Sequence, residues 1–203
     1  RSIRGGLARQ TKQAKHFASL NHEQVAPLML KLRESDTAGR LALRFLILTA
    51  ARSGEVRGAP WSEIDLERAL WTVPAGRMKM KKEHVVPLPA AAVEVLHIAG
   101  GLRKGNEGEP IFPGMRDQPL SDMTITKVLR TAVGGDWTVH GFRSTFRDWV
   151  EEKTEFKSEV AEAALAHAIS NKVDAAYRRT NYLEKRRELM ALWAAYAAPP
   201  PVA

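Results

Sequence analysis

Cysteine is absent from the 203 residues, which excludes a disulfide framework, Cys-ligated zinc and a thiol nucleophile. The six histidines, His16, His22, His84, His97, His140 and His167, show no HExxH or comparable spacing, so neither a metal site nor another cofactor is expected. Carboxylates are not clustered in the way a metal-dependent nuclease needs. There is no apolar run long enough to span a bilayer and no signal-peptide pattern. The expectation is a soluble, non-secreted, cytoplasmic protein with no membrane partner. The chain opens on Arg1 with no initiator methionine, which fits a fragment of something longer. Internal repeats and low-complexity domains are lacking too.

What is present is a hydrophobic fraction of 44%, enough for one well-filled core. Lys and Arg outnumber Asp and Glu by 31 to 23, a formal charge of +8, which favours a polyanionic partner, nucleic acid first. Residues 1–18 carry Arg1, Arg4, Arg9, Lys12 and Lys15 among few apolar residues and read as a basic linker. Asn21 and Gln24 form a capping-box pattern ahead of the stripe Val25, Leu28, Met29 and Leu32. The dense run Leu41, Leu43, Phe45, Leu46, Ile47 and Leu48 after Asp36 predicts the central buried helix. Ser53 reads as the cap of a short helix. LWTVP at 70–74, a turn at Gly76 and RMKMKKEHVVPL at 77–88 predict a hairpin, with period two placing Arg77, Lys79 and Lys81 on one face and Lys82 on the other. Further helices are expected from Pro89 to about Ile98, from Ser121 to about Val133, through the Trp137–Glu152 stretch, and from Ser158 to ALAH. A short strand is expected at Ile111 and Phe112. The fold class is mostly α with a small antiparallel sheet.

The stretch WTVHGFRSTFRDWVEE puts His140 and Arg143 three residues apart, on one helix face, while Phe142, Phe146, Trp149 and Val150 form the stripe that anchors that helix. Such a pair suits a phosphate, because Arg offers a planar fork for two oxygens and His adds a donor that titrates near neutral pH. Arg52 stands before the short helix beside Glu55; the plain alternative is a surface ion pair worth little. Lys81 and Lys82 read as a solvated basic turn touching DNA backbone.

Taken in order, TAARSGEVRG, RMKMKKEHVVPL, HGFRSTFRDW, LAH and NKVDAAYRR resemble the catalytic domain of the tyrosine recombinases, specifically the integrases of temperate phages and genomic islands. The resemblance runs from about residue 20 to about residue 196. It implies the DNA breaking-rejoining fold for residues 19–203, with 1–18 leading from missing upstream DNA-binding domains. It also implies site-specific recombination, integrating or excising a mobile element through a covalent 3′-phosphotyrosine. Arg52 and Arg143 would clamp the scissile phosphate, Lys79 would protonate the leaving 5′ oxygen and Tyr177 would attack. His140 would accept a proton, His167 would donate to a phosphate oxygen, and Glu55 would brace the site. Lys79 is preferred to Lys81 because it lies eight residues before Pro87, as in the family pattern. Ala166 stands where the wider superfamily has Gly. Arg77, Lys81, Lys82, Arg178 and Arg179 are candidate contacts to the DNA backbone. The implied partners are double-stranded DNA attachment sites, bound as a homotetramer.

Two other readings share much of this pattern: a type IB topoisomerase, which nicks and rejoins the same strand, and a catalytically silent DNA-binding module using its basic faces. The last segment, 184–198, reads as an amphipathic helix with Leu189, Leu192 and Trp193 on one side, ended by prolines. Its stripe can be buried on its own domain or on a neighbouring protomer, and the sequence leaves both open.

Overall fold

The computed structural model describes residues 18–106, 108–167 and 182–199. Among them the chain forms α1 (Val25–Leu32), α2 (Ala38–Thr49), α3 (Ser53–Arg57), β1 (Ile64–Asp65), β2 (Leu70–Val73), β3 (His84–Pro87), α4 (Ala90–Gly100), α5 (Asp122–Val133), α6 (Gly141–Lys153), α7 (Ser158–Ala164) and α8 (Leu183–Ala197). This is the mostly helical architecture with a small sheet that the sequence predicts.

Helix α2 is the hub. Every residue from Leu41 to Ala50 is buried, as expected of a helix that is apolar on all sides, and α1, α3, α4, α5 and α8 all pack on it. It stops because Ala50 turns into the left-handed region (φ 49). That turn leaves the Ala50 carbonyl for another partner. The capping box at Asn21 and Gln24 forms as expected, and a single 3-10 turn, His22–Gln24, precedes α1.

The sheet is β1-β2-β3, antiparallel throughout, with Trp71 opposite Val86 and Leu70 opposite Pro87. Trp71, Val73 and Val86 are buried, and the rings of Phe45 and Phe112 continue that layer. Three sequence expectations shift here. Residues 77–82 form a turn instead of the start of a strand, so alternation does not decide where Arg77, Lys79, Lys81 and Lys82 point. Ile111 and Phe112 are fully buried but make no strand. Isolated bridges of Pro60 with Pro110 and of Pro113 with Pro119 flank them, beside a bond from Ile111 N–H to the Ala59 carbonyl. Ser53 is the first residue of α3 and Arg52 is its N-cap. The Ser53 hydroxyl donates to Asp122 on α5 instead.

Helix α6 buries Phe142, Phe146, Trp149 and Val150 as its spacing predicts. The chain leading into the domain crosses its first turn. The Ala18 carbonyl accepts from the Thr138 amide and hydroxyl, and Leu20 accepts from Thr145. A Cβ on Gly141 would stand 2.6 Å from the Ala18 oxygen and 2.8 Å from Ser19 Cα, so this close crossing requires glycine.

Helix α8 docks on its own domain, against α1, α2, α4, α7 and β3. Its buried face is Arg186, Leu189, Met190, Trp193, Ala194 and Ala197, at the i, i+3, i+4, i+7, i+8 spacing of one stripe. Leu192 falls outside that phase and is 52% exposed, which corrects the stripe drawn from sequence. Trp193 donates to the Ile47 carbonyl at 2.7 Å and packs among Phe146, Trp149 and Tyr196. Trp193→Ala is expected to cost about 3–5 kcal/mol, and Leu192→Ala to stay within about 0.5 kcal/mol, as read from chemical denaturation. Equal losses would restore the stripe that includes Leu192.

Candidate active site

The site is built around the last turn of α7. Leu165 continues past the helix and Ala166 adopts a left-handed conformation (φ 48). His167 N–H then bonds to the Glu162 carbonyl at 3.0 Å and Ala166 N–H to that of Ala163 at 3.2 Å. This pair of bonds is a Schellman ending, whose left-handed position usually belongs to glycine. The physical basis for Gly in the wider superfamily, and for Ala as a tolerable departure, is therefore one residue's φ.

The carbonyls that this turn leaves open are taken by cationic side chains. Arg143 on α6 donates from Nη2 to the Leu165 carbonyl and from Nη1 to Ala50 at 2.7 Å. Arg52 Nη2 reaches Leu165 and Ala166 at 3.5 Å each. Glu55 fixes Arg52 from the other side. One carboxylate oxygen pairs with Nη1 at 2.7 Å, and the other accepts the Arg52 backbone N–H at 3.0 Å. Their side chains are 18% and 7% exposed, so the pair is mostly buried, in contrast to the surface pair of the plain alternative.

His167 lies just past the turn. Its Nε2 is 3.0 Å from Arg143 Nη2 and its Nδ1 2.6 Å from Glu162. Since Arg can only donate, Nε2 accepts and Nδ1 carries the proton, so the ring is neutral in this geometry. Burial holds the His167 pKa below its ordinary value, with Glu162 opposing and Arg143 assisting. His140 is the N-cap of α6. Its pKa is lowered by burial first and then by Arg143, Arg52, Lys79 and His167, which places four of the expected cationic or basic groups within electrostatic reach of one ring. Burial, with Arg52 nearby, pushes Arg143 down to about 10, still charged at neutral pH. Lys79 stands exposed on the β2–β3 turn beside Lys81 and Lys82, which are exposed too.

Arg77 differs from its expected role as a backbone contact. Its Nη2 donates to the Glu55 carbonyl at 2.7 Å and to Glu63 at 3.1 Å, and Nε pairs with Glu63 at 2.8 Å. The side chain braces α3 under Glu55. Tyr177, Arg178 and Arg179 lie outside the described residues.

Sequence reasoning missed His84, Arg186 and Glu162. His84 Nε2 donates to the Ala164 carbonyl at 3.2 Å. Arg186 donates to Ala163 and to Val85. A signal for Arg186 was available, since it falls in phase with Leu189, Met190 and Trp193 on α8. No local pattern marks His84, whose partner Ala164 is distant in sequence, while Glu162 stands five residues before its partner His167. Arg52 and Arg143, converging on one turn, make a pair of cationic donors of the kind that suits a tetrahedral oxyanion.

His84 gives the site a pH signature. Burial, reinforced by Arg186, pushes its pKa down to about 4. The folded form therefore favours the neutral ring, and the unfolded chain binds the proton first as pH falls below about 6.5. Stability from this group is complete above about pH 6.5 and is lost towards pH 4, by on the order of 3 kcal/mol. His140 and His167 act in the same direction. Thermal melting across this range is expected to show the loss, and His84→Gln, which keeps a donor without titrating, should flatten it. An unchanged slope in that variant would remove His84 as its source.

Comparison with known proteins bears on the same chain. The profile of the phage integrase family matches residues 18–184. Prophage integrase IntA of Escherichia coli (strain K12) is 36% identical over 198 residues, covering 95% of this chain and 47% of that protein. The integrase of Enterobacteria phage P4 is 32% identical over 210 residues, covering 93% of this chain and 47% of that protein. The chain thus spans about half the length of these curated relatives. Among solved structures, XerA recombinase matches with a TM-score of 0.62 at 15% identity, over 86% of this chain and 64% of that one. A lambda integrase tetramer bound to a Holliday junction matches with a TM-score of 0.59 at 19% identity, over 81% and 51% respectively. The solved structures speak for the fold, a tyrosine recombinase catalytic domain, and with the profile covering most of the chain and curated integrases above 30% identity, this chain belongs to the phage integrase family.

Proposed function

We propose that this chain is the catalytic domain of a site-specific recombinase that integrates or excises a mobile element. The observation that carries the reading is the convergence of Arg52 and Arg143 on one carbonyl turn, with His167 bonded to Arg143 and the charges of both arginines and of Lys79 acting on His140. The substrate is a DNA phosphodiester. In-line attack concentrates negative charge on the phosphoryl oxygens, and two preorganised guanidinium groups lower that barrier by electrostatics.

Arg52 and Arg143 clamp the scissile phosphate, and Glu55 holds Arg52 in place. The Tyr177 oxygen attacks phosphorus while His140 accepts the phenol proton, which is needed because a free phenol has a pKa of about 10. The bond from phosphorus to the 5′ oxygen breaks, and the Lys79 ammonium supplies the proton that the 5′ oxygen takes up. The product is a 3′-phosphotyrosine that retains the phosphodiester's energy, so a 5′ hydroxyl from a partner strand reverses the step without ATP. His167 accepts from Arg143 in the DNA-free geometry. A phosphate drawing on that Arg143 donor favours the imidazolium, whose Nε2–H then donates to the phosphate.

Double-stranded attachment sites are the proposed partner, with Lys81, Lys82, Arg178 and Arg179 on the backbone. A homotetramer on DNA is proposed because the lambda integrase neighbour is a tetramer on a Holliday junction. Residues 1–18 act as the linker from upstream DNA-binding domains, since the relatives are about twice as long, and the protein works at the nucleoid in the cytoplasm. The topoisomerase and silent-module readings are less favoured, because the curated relatives of this chain are integrases.

Tyr177→Phe is expected to leave DNA binding intact and to abolish the covalent adduct on a nicked suicide duplex, as seen on denaturing gels. Adduct persisting in that variant would move the nucleophile, with Tyr182 next to be tested. Arg52→Ala and Arg143→Ala are each expected to slow single-turnover cleavage by about 10²-fold or more. Cleavage near the wild-type rate in either variant rejects the clamp.

A further inference from the structure

Arg186 is 2% exposed, and among the described residues its side-chain partners are backbone carbonyls: Val85 on β3 through Nη2 and Ala163 on α7 through Nη1 at 3.5 Å. Its Nε is buried with no partner. Among the described residues no carboxylate pairs with it, and a guanidinium buried in that way is costly. Replacing such a group by an apolar side chain of similar volume is commonly neutral or stabilising, and the position lies in phase with an apolar stripe that would accept one. The contacts among the described residues therefore do not account for an arginine here by stability.

Its donors have a more specific consequence. The carbonyls at the end of α7 are handed out in sequence order: Ala163 to Arg186, Ala164 to His84, Leu165 to Arg143 and Arg52, and Ala166 to Arg52. Strand β3 thus holds the turn at two successive carbonyls, directly through His84 at 3.2 Å and, at the 3.5 Å limit of a hydrogen bond, through the Arg186 bridge from Val85. A turn rotated about its own axis would offer Arg143 and Arg52 different oxygens. Their guanidinium planes would then point elsewhere.

We propose that Arg186 is a positioning residue for DNA cleavage: by tying the Ala163 carbonyl to β3 it fixes which carbonyls face Arg143 and Arg52, and so aims both guanidinium groups at the scissile phosphate. This rests on the reading of those two arginines as the phosphate clamp. Arg186 itself touches no reacting atom. It acts through backbone that the two clamp residues share.

The test compares the full chain with Arg186→Met, Arg186→Lys, Arg143→Lys and the Arg186→Met/Arg143→Lys double variant, on nicked duplexes cut from the DNA flanking the element. Thermal melting, DNA affinity and the adduct rate at saturating DNA are measured for each. Arg186→Met is expected to melt and bind DNA as wild type does, while its adduct rate at saturation falls about 10²-fold, the scale set by a misplacement near 1 Å. Arg186→Lys, which keeps one donor, should recover part of the rate. The double variant should lose less than the product of the two single losses, since the part of the Arg186 effect that runs through Arg143 is already gone in Arg143→Lys. A folded Arg186→Met at the wild-type rate, or a double variant showing the full product of the two losses, overturns the proposal. If Arg186→Met does not fold, Arg186→Lys decides: an intermediate saturating rate with normal DNA affinity supports the proposal, and a wild-type rate overturns it. Failure of the clamp reading shows separately, as Arg143→Lys cleaving at the wild-type rate while wild type itself forms adduct.

Discussion

The end of a helix leaves carbonyls that need donors, and in this protein that need, at the end of α7, organises the whole candidate site. The Schellman turn satisfies Glu162 and one lone pair of Ala163 with its own amides, and what remains is met by donors from β3, α3, α6 and α8. Most of these donors carry charge. Crowding Arg52, Arg143 and Arg186 together without a ligand would be unfavourable on Coulomb grounds alone, but the negative end of the helix dipole offsets part of it, by about 0.3–2 kcal/mol per cation depending on burial. Glu55 pairs with Arg52, and Glu55 and Glu162 add Coulomb attraction for Arg143. A cluster of cations can thus persist without a ligand.

Two helix endings place the pocket relative to the core. α2 stops at Ala50 and α7 at Ala166, each with an alanine in the left-handed region, and each exposes a carbonyl in the neighbourhood of α6. Arg143 bridges them, from Ala50 to Leu165. Because α2 is buried along its length and α6 is seated by Phe142, Phe146 and Trp149, this bridge has a rigid base on both sides. The lead-in chain adds a third tether across the first turn of α6, possible only because Gly141 has no side chain to meet Ala18 and Ser19.

Much of this was legible from residues alone, for a definable reason. Periodicity located α2, α5 and α6 because each carries its own apolar stripe, and Ser121 marked the start of α5 by accepting from Thr124 N–H as an N-cap does. The ordered boxes named Arg52, His140, Arg143 and His167, which the structure brings together. What escaped was contact between side chains and distant backbone. A carbonyl looks the same in every sequence, so nothing local says that Leu165 and Ala50 wait for Arg143, or that Ala163 waits for Arg186. The basic run 77–82 misled for the opposite reason: its alternating Lys and Met mimic a strand, while Lys81 in the left-handed region (φ 53) ends any alternation. Arg77 looked like its lysine neighbours but has Glu63 beneath it.

Arg52 and Arg143 are also unequal, and the difference follows from their partners. Arg143 is buried, with a 2.7 Å bond to Ala50, a second to Leu165 and a third to His167. Breaking those would strand buried carbonyls, at about 1–3 kcal/mol for each group left unpaired. Arg52 is more exposed, and its Nη2 bonds to Leu165 and Ala166 are 3.5 Å long, at the limit of a useful hydrogen bond. Exchanging them for an anion costs little, because Glu55 keeps the rest of the guanidinium in place and Arg143 still serves Leu165. The geometry therefore divides the work between a fixed donor that defines the pocket and an adjustable one that can turn towards what enters it.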